Sequence, residues 1–151
     1  MDIGTIILRL LAALILGGMP GWQRQKESKP AGLRTHILVC VGSAVFVMLA
    51  QEVAMTTPQS EMLPRDSLRV LAAVVTGVGF LGAGTIIQGR GRVEGLTTAA
   101  GLWVMAGVGA ALGFGSYVMA TVTTLLVWAV LQVLGVLEPE ASRSGGDEIE
   151  G

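Results

Sequence analysis

From Gly95 to Leu137 the sequence runs for 43 residues without one charged side chain. As a single helix that run would be about 65 Å long, roughly twice the ~30 Å hydrocarbon core of a bilayer. A soluble domain cannot hide so long an apolar run, so the segment is expected to cross a membrane, turn, and cross back. The turn is placed at Gly113–Ser116, where the sequence reads GFGS. Three further apolar stretches, Ile3–Trp22, Ile37–Met55 and Val70–Ile87, raise the expected number of membrane helices to five. Only 14% of residues are charged, against about 25% in soluble domains, and the mean hydropathy is +0.67.

Lys and Arg in short loops set the orientation, because they are enriched on the cytoplasmic side. The first loop carries Arg24, Lys26, Lys29 and Arg34, and the third carries Arg90 and Arg92. The second, at about residues 56–69, has Arg65 and Arg69 offset by Glu61 and Asp66, and the fourth has no charge. The first and third loops are therefore placed in the cytoplasm. Residues 1–22 are read as a retained first helix, since Asp2 stands where a leader would have a basic start and the basic cluster follows the apolar run. Cys40 is the one cysteine, which rules out an internal disulfide. The expected fold is an all-α membrane protein of five transmembrane helices, N-terminus outside and C-terminus cytoplasmic. Residues 1–137 form the membrane domain, and the acidic, Gly/Ser-rich residues 138–151 form a disordered tail.

Gly77, Gly79 and Gly82, in TGVGFLGAG, have the G-x-G-x-x-G spacing of a dinucleotide loop. In an uncharged span an open phosphate loop would leave backbone groups unpaired in lipid, so the nucleotide reading fails. In membranes glycine instead lets helices approach closely. Gly77, Gly84 and Ala73 fall on one side of the helix, and Gly79, Gly82 and Ala83 towards the other. Small residues all round make the third helix the expected centre of the bundle. Gly17/Gly21 and Gly109/Gly113 add G-x-x-x-G pairs in the first and fourth helices. If the third helix were broken, its glycines with Thr76 and Thr85 could line an ion route; close packing is the preferred reading. Helix five has larger side chains, and Tyr117 and Trp128 suit a lipid-facing edge.

The segments Gly32–Gly42 and Gly95–Met105 share G-L-x-T at an offset of 63 residues. That permits two parallel helix-pair repeats, or merely two similar helix starts with Thr35 and Thr98 as N-caps. KPAGLRTHILVCVGSAVFV at Lys29–Val47, GVGFLGAGTII and GLTTAAGLWV together resemble the MgtC/SapB family of bacterial membrane proteins, from about Arg9 to about Ala120. The resemblance implies a multi-pass, non-enzymatic protein of the bacterial inner membrane that serves adaptation to low Mg²⁺ or acid stress and, in several relatives, virulence. For one branch it also implies inhibition of the F-type ATP synthase. Two positions depart from the pattern: Gln23 replaces a frequent glutamate, and Ala73 a frequent glutamine. Longer members carry a soluble C-terminal domain that these 151 residues do not include, so functions placed there are not expected here.

Two groups of residues are candidates for function. Arg9 lies inside the first span and Glu52 near the outer end of the second; they are expected to pair or share a polar pocket, unless Arg9 snorkels to the headgroups. At the other face Arg34, Thr35 and His36 begin helix two, and Thr97 and Thr98 begin helix four. Helix N-termini beside Arg24, Arg90 and Arg92 suit an anion, either lipid phosphate or a partner's acidic segment. The alternative is a positive-inside cluster with no ligand. With one histidine, one cysteine and Glu52 the sole acid within a span, no catalytic residue, metal site or cofactor is expected. The expected partners are membrane lipid, a second copy of the chain in a homo-oligomer, and another inner-membrane complex, with no nucleotide or nucleic acid. The competing function is a channel or transporter for Mg²⁺ or another small solute.

Overall fold

A computed structural model of the chain describes residues 1–56, 66–89 and 92–137. The acidic tail at 138–151, Glu61 and Arg65 of the second loop, and Arg90 lie outside the described residues. The described residues form five helices: α1 (Ile3–Lys26), α2 (Leu33–Thr56), α3 (Asp66–Gly84), α4 (Leu96–Gly113) and α5 (Tyr117–Leu137). Three segments, Ile3–Lys26, Leu33–Met55 and Leu96–Gly113, are long and apolar enough to cross a membrane. The apolar stretches Arg69–Gly84 and Tyr117–Val133 are shorter. The fold is that of an all-α membrane protein.

Local chemistry explains where the helices begin and end. Asp2 caps α1, its carboxylate accepting from the Thr5 backbone N–H at 2.9 Å and the Thr5 hydroxyl at 2.7 Å. Those two bonds hold the Asp2 carboxyl below its ordinary pKa. The turn expected at Gly113–Ser116 separates α4 from α5. Gly115 there has φ 82, and the N–H of Ser116 donates to the Ala111 carbonyl at 2.8 Å.

One departure from an all-helical chain follows α3. The helix ends at Gly84, short of Ile87, and the chain forms an antiparallel hairpin of β1 (Ile87–Gly89) and β2 (Arg92–Glu94). Thr85 turns the chain out of the helix, its N–H and hydroxyl both donating to the Gly82 carbonyl at 3.0 and 2.8 Å. The adjacent β-branched Ile86 and Ile87 favour a strand over further helix.

The centre of the bundle is α4, which packs against all four other helices and is the most buried of the three long apolar spans, and the expectation that α3 holds that place is corrected. A Cβ added at Gly17 of α1 would stand 2.8 Å from the Cys40 Cβ, and one at Gly21 would stand 2.9 Å from the His36 Cβ. From α4, a Cβ at Gly109 would strike the Cys40 carbonyl, and one at Gly113 would lie 2.6 Å from the Val47 Cβ. Both G-x-x-x-G pairs therefore bring their helices into backbone contact with α2. Among the described side chains of α3, Val74, Val78 and Gly82 are buried, Gly82 facing Ala99. At Gly77, Gly79 and Gly84 an added Cβ would meet nothing within 4 Å. Small residues permit close approach but do not compel it, and the other faces of α3 are open. By contrast, the exposed faces of α1 and α5 carry Ile7, Leu11, Ile15, Val118, Val122 and Leu126.

Candidate functional site

Buried Gln23, Arg24, His36 and Thr98 gather at the end of α1, and a half-buried polar group lies near its start. Near its start, Arg9 is half-buried and turned inward. One terminal nitrogen donates to the Gly113 carbonyl, in the last turn of α4, and to Gln51 Oε1 at 3.0 Å. The expected Arg9–Glu52 pair is replaced by this arrangement. The Glu52 carboxylate lies 3.1 Å from the Met1 ammonium, and the neighbouring Gln51 takes the guanidinium. The helix-end carbonyl explains the exchange: it carries the negative end of the α4 dipole, which a cation prefers.

At the other end of α1 the expected cluster divides. Arg24, His36 and Thr98 are 5%, 1% and 1% exposed, and Arg24 donates through a terminal nitrogen to the Thr98 hydroxyl. The His36 Nδ1–H donates to the Gly32 carbonyl at 3.0 Å, since a carbonyl can only accept. His36 Nε2 then faces α4, where a Cβ at Gly101 would lie 3.6 Å away. Arg34 and Thr97 are exposed and Thr35 is half-buried, so these form a rim. Arg92 opens β2, and its side chain, like the whole of Arg90, lies outside what is described. Neither Thr35 nor Thr98 is a cap: Gly95 takes the N-cap position of α4, and Thr98 sits inside its first turn.

Gln23 is a buried polar residue that sequence reasoning noted only as a departure from a family pattern. It is 8% exposed, its Nε2 donates to Glu27 Oε1 at 3.0 Å, and its Oε1 has no partner. A signal for Arg24 was present in the sequence. Gly17, Gly21 and Arg24 are spaced i, i+4 and i+7, which puts them on one helix face.

The α3 candidates do not form a lined route through the chain. The helix is unbroken through Gly77, Gly79 and Gly82, and the Thr76 hydroxyl donates to the Ala72 carbonyl at 2.9 Å. Beside α3 an apolar cleft of about 220 Å³ opens over Gly107, between Val75 of α3 and Met119 and Thr123 of α5. Among the described residues no group of three or more His, Cys, Asp or Glu could hold a metal ion. The buried site at the end of α1 thus offers a guanidinium, an imidazole and a hydroxyl. That set holds helices together and suits an anion better than a cation.

Residues 10–139 match the model of the MgtC family. The chain is 42% identical over 131 residues to YhiD of Escherichia coli (strain K12), whose name proposes a magnesium transporter. It is 43% identical over 121 residues to MgtC of Salmonella typhimurium (strain LT2) and 40% identical over 132 residues to SrpB of Synechococcus elongatus. These alignments cover 85%, 80% and 82% of this chain. They span 61% of YhiD, 48% of MgtC and 71% of SrpB. No solved structure matches.

Proposed function

The chain belongs to the MgtC family, and from that premise we propose that it is a non-enzymatic, multi-pass protein of the bacterial inner membrane. It serves adaptation to low Mg²⁺ by binding a membrane partner or lipid rather than by carrying the ion. The observation that supports regulation over conduction is the interior of the bundle. It holds a half-buried arginine near the start of α1 and a buried one near its end, and it closes to glycine–backbone contact at Cys40 between them. A divalent cation following that path would meet two guanidinium groups and no carboxylate cage, against its preference for oxygen ligands. Among membrane partners, the F-type ATP synthase is the one that the family resemblance implies.

Transport is the second reading, and one observation favours it. The open faces at Gly77, Gly79 and Gly84 would allow a route between copies instead of within one. Sealed proteoliposomes holding a Mg²⁺-sensitive dye separate the two. Regulation predicts no Mg²⁺ entry above protein-free vesicles, together with loss of low-Mg²⁺ growth in an Arg34→Gln/His36→Gln variant that still accumulates. Saturable entry that the same double variant abolishes would refute the regulatory reading.

A further inference from the structure

Two hydrogen bonds set the relative depth of α1 and α4. Arg9 donates to the Gly113 carbonyl, and Arg24 donates to the Thr98 hydroxyl. Arg9 and Arg24 are as far apart along α1 as Thr98 and Gly113 are along α4, so the two helices run antiparallel and level. Both are long and apolar enough to cross a membrane. The apolar run of α1, Ile3–Trp22, is about 29 Å long, close to the ~30 Å hydrocarbon core. Just before it the Met1 ammonium pairs with Glu52. At its far edge Trp22 is exposed, with Lys26 Nζ 5.4 Å from the centre of its ring. An aromatic ring beside a cation is what the headgroup boundary favours.

The hairpin of β1 and β2 lies beyond that boundary. Ala100 of α4 is level with Trp22, and Leu96 is four residues, about 6 Å, further out. The headgroup layer is about 5–7 Å thick on each side. A Cβ at Gly95 would strike the Thr85 carbonyl, so the chain leaves α3 and enters α4 at one depth. Yet Ile86, Ile87, Val93 and Leu96 are all exposed, Ile87 at 64% and Val93 at 50%. A lone two-stranded hairpin has no core in which to hide them.

Three features choose what covers this patch. Ile87 pairs with Glu94 and Gln88 with Val93, which puts Ile87 and Val93 on opposite faces of the hairpin. A protein seated on one face would leave the other in water, whereas a headgroup layer surrounds both. The patch also continues into a lipid-facing surface, since exposed Trp103 lies two turns along α4 from Leu96 on the same side. Between Ile87 and Leu96 the sequence carries Arg90 and Arg92 against Glu94, a basic balance that suits lipid phosphates.

We propose that the hairpin is immersed in the headgroup layer at the Arg24 end of the bundle and binds that lipid surface through both of its faces. Headgroups and their water can satisfy the open strand edges, which hydrocarbon could not. The inference goes beyond the regulatory reading and stands whether the chain regulates or transports.

The test places a bimane label at Ile87→Cys or Val93→Cys in the full chain, held in nanodiscs of phosphatidylcholine and phosphatidylglycerol. The wild type, whose Cys40 is buried, is the labelling blank. Leu11→Cys, exposed at the middle of the α1 run, is the deep reference. Lipid brominated near the headgroup should quench both hairpin labels about twofold more than lipid brominated near the chain end, and the order should reverse at Leu11→Cys. Aqueous iodide should quench both hairpin labels less than it quenches free dye. Should either hairpin variant fail to fold, Leu96→Cys takes its place. Iodide quenching equal to free dye without lipid quenching would put the hairpin in water and overturn the proposal. Stronger quenching by deep bromine, or lipid quenching at one face alone, would overturn it too, the last pointing to a second copy docked on the other face.

Discussion

Replacing Gly109 by alanine tests whether contact with α2 holds the bundle together. The added Cβ would strike the Cys40 carbonyl oxygen and stand 2.8 Å from its carbon. Ordinary carbon contacts lie at about 3.5–4.0 Å, so α2 and α4 must part locally by about 1 Å. Neither obstructing atom is on a flexible side chain. Nor can α2 simply back away, because Gly17 of α1 already meets Cys40 at its Cβ. Overpacking of this kind costs about 1–3 kcal/mol, against which alanine regains up to ~1 kcal/mol of helix propensity. A net loss of about 2 kcal/mol is expected, equivalent to roughly thirtyfold in the opening equilibrium. Cys40 supplies the assay, since it is the one thiol in the sequence and is fully buried. Maleimide labelling in detergent should be slow in the wild type and about thirtyfold faster in Gly109→Ala. Gly77→Ala is the internal control, because its Cβ would meet nothing within 4 Å; its labelling rate should equal or fall below that of the wild type. Equal rates for Gly109→Ala and wild type would refute the packing argument. So would a Gly77→Ala variant that labels as fast as Gly109→Ala.

Two further outcomes follow from the polar groups near the start of α1. Arg9→Met strips the α4 end carbonyl of its cation and leaves Gln51 Oε1 without its donor. It should cost about 1–3 kcal/mol in denaturant unfolding, with Arg9→Lys intermediate; an unchanged Arg9→Met midpoint would mean that the side chain snorkels to the headgroups. The Asp2 carboxyl is held below its ordinary pKa by the Thr5 bonds, so its stabilisation is present above the unfolded value of about 3.9 and lost as pH falls through the lower folded value. The melting-temperature gap between wild type and Asp2→Ala should therefore hold steady down to about pH 4 and narrow below it. A gap that widens on acidification would reverse the assigned sign.

The helices were legible from the uncharged runs, and the α4–α5 turn from its two glycines. In a chain this apolar, few alternatives leave the backbone paired. That the glycine faces of α1 and α4 close on α2 was not legible, for a specific reason. A search for close packing looks for glycine against glycine. Here Gly17, Gly21, Gly109 and Gly113 close instead on Cys40, His36, Ala44 and Val47 of a helix without the motif. Which helix receives a glycine face depends on tertiary arrangement, and local spacing carries no record of it. The site shows the same division. Arg24 shares a face with Gly17 and Gly21, so its burial follows from helical spacing. Thr97 lies one residue before buried Thr98 and Arg34 two before buried His36, yet a step of about 100° per residue carries them off that face. Nearness along the chain had grouped residues that the helix separates.

The two arginines of α1 meet opposite ends of one helix. Both reach the same helix, α4, and they are fifteen positions apart in the sequence. Arg9 meets the C-terminal turn of α4, where free carbonyls and the dipole favour a cation, and it takes the Gly113 carbonyl. Arg24 meets the N-terminal turn, where the dipole opposes a cation and free N–H groups compete for any acceptor. Identical side chains on antiparallel neighbours thus stand in opposite electrostatic positions. Arg9 is placed with the dipole, although its Nε has no partner, and Arg24 is placed against it. Arg24→Gln should therefore cost less stability than Arg9→Met in the same denaturant assay. A larger loss for Arg24→Gln would show that the helix dipole does not set the order.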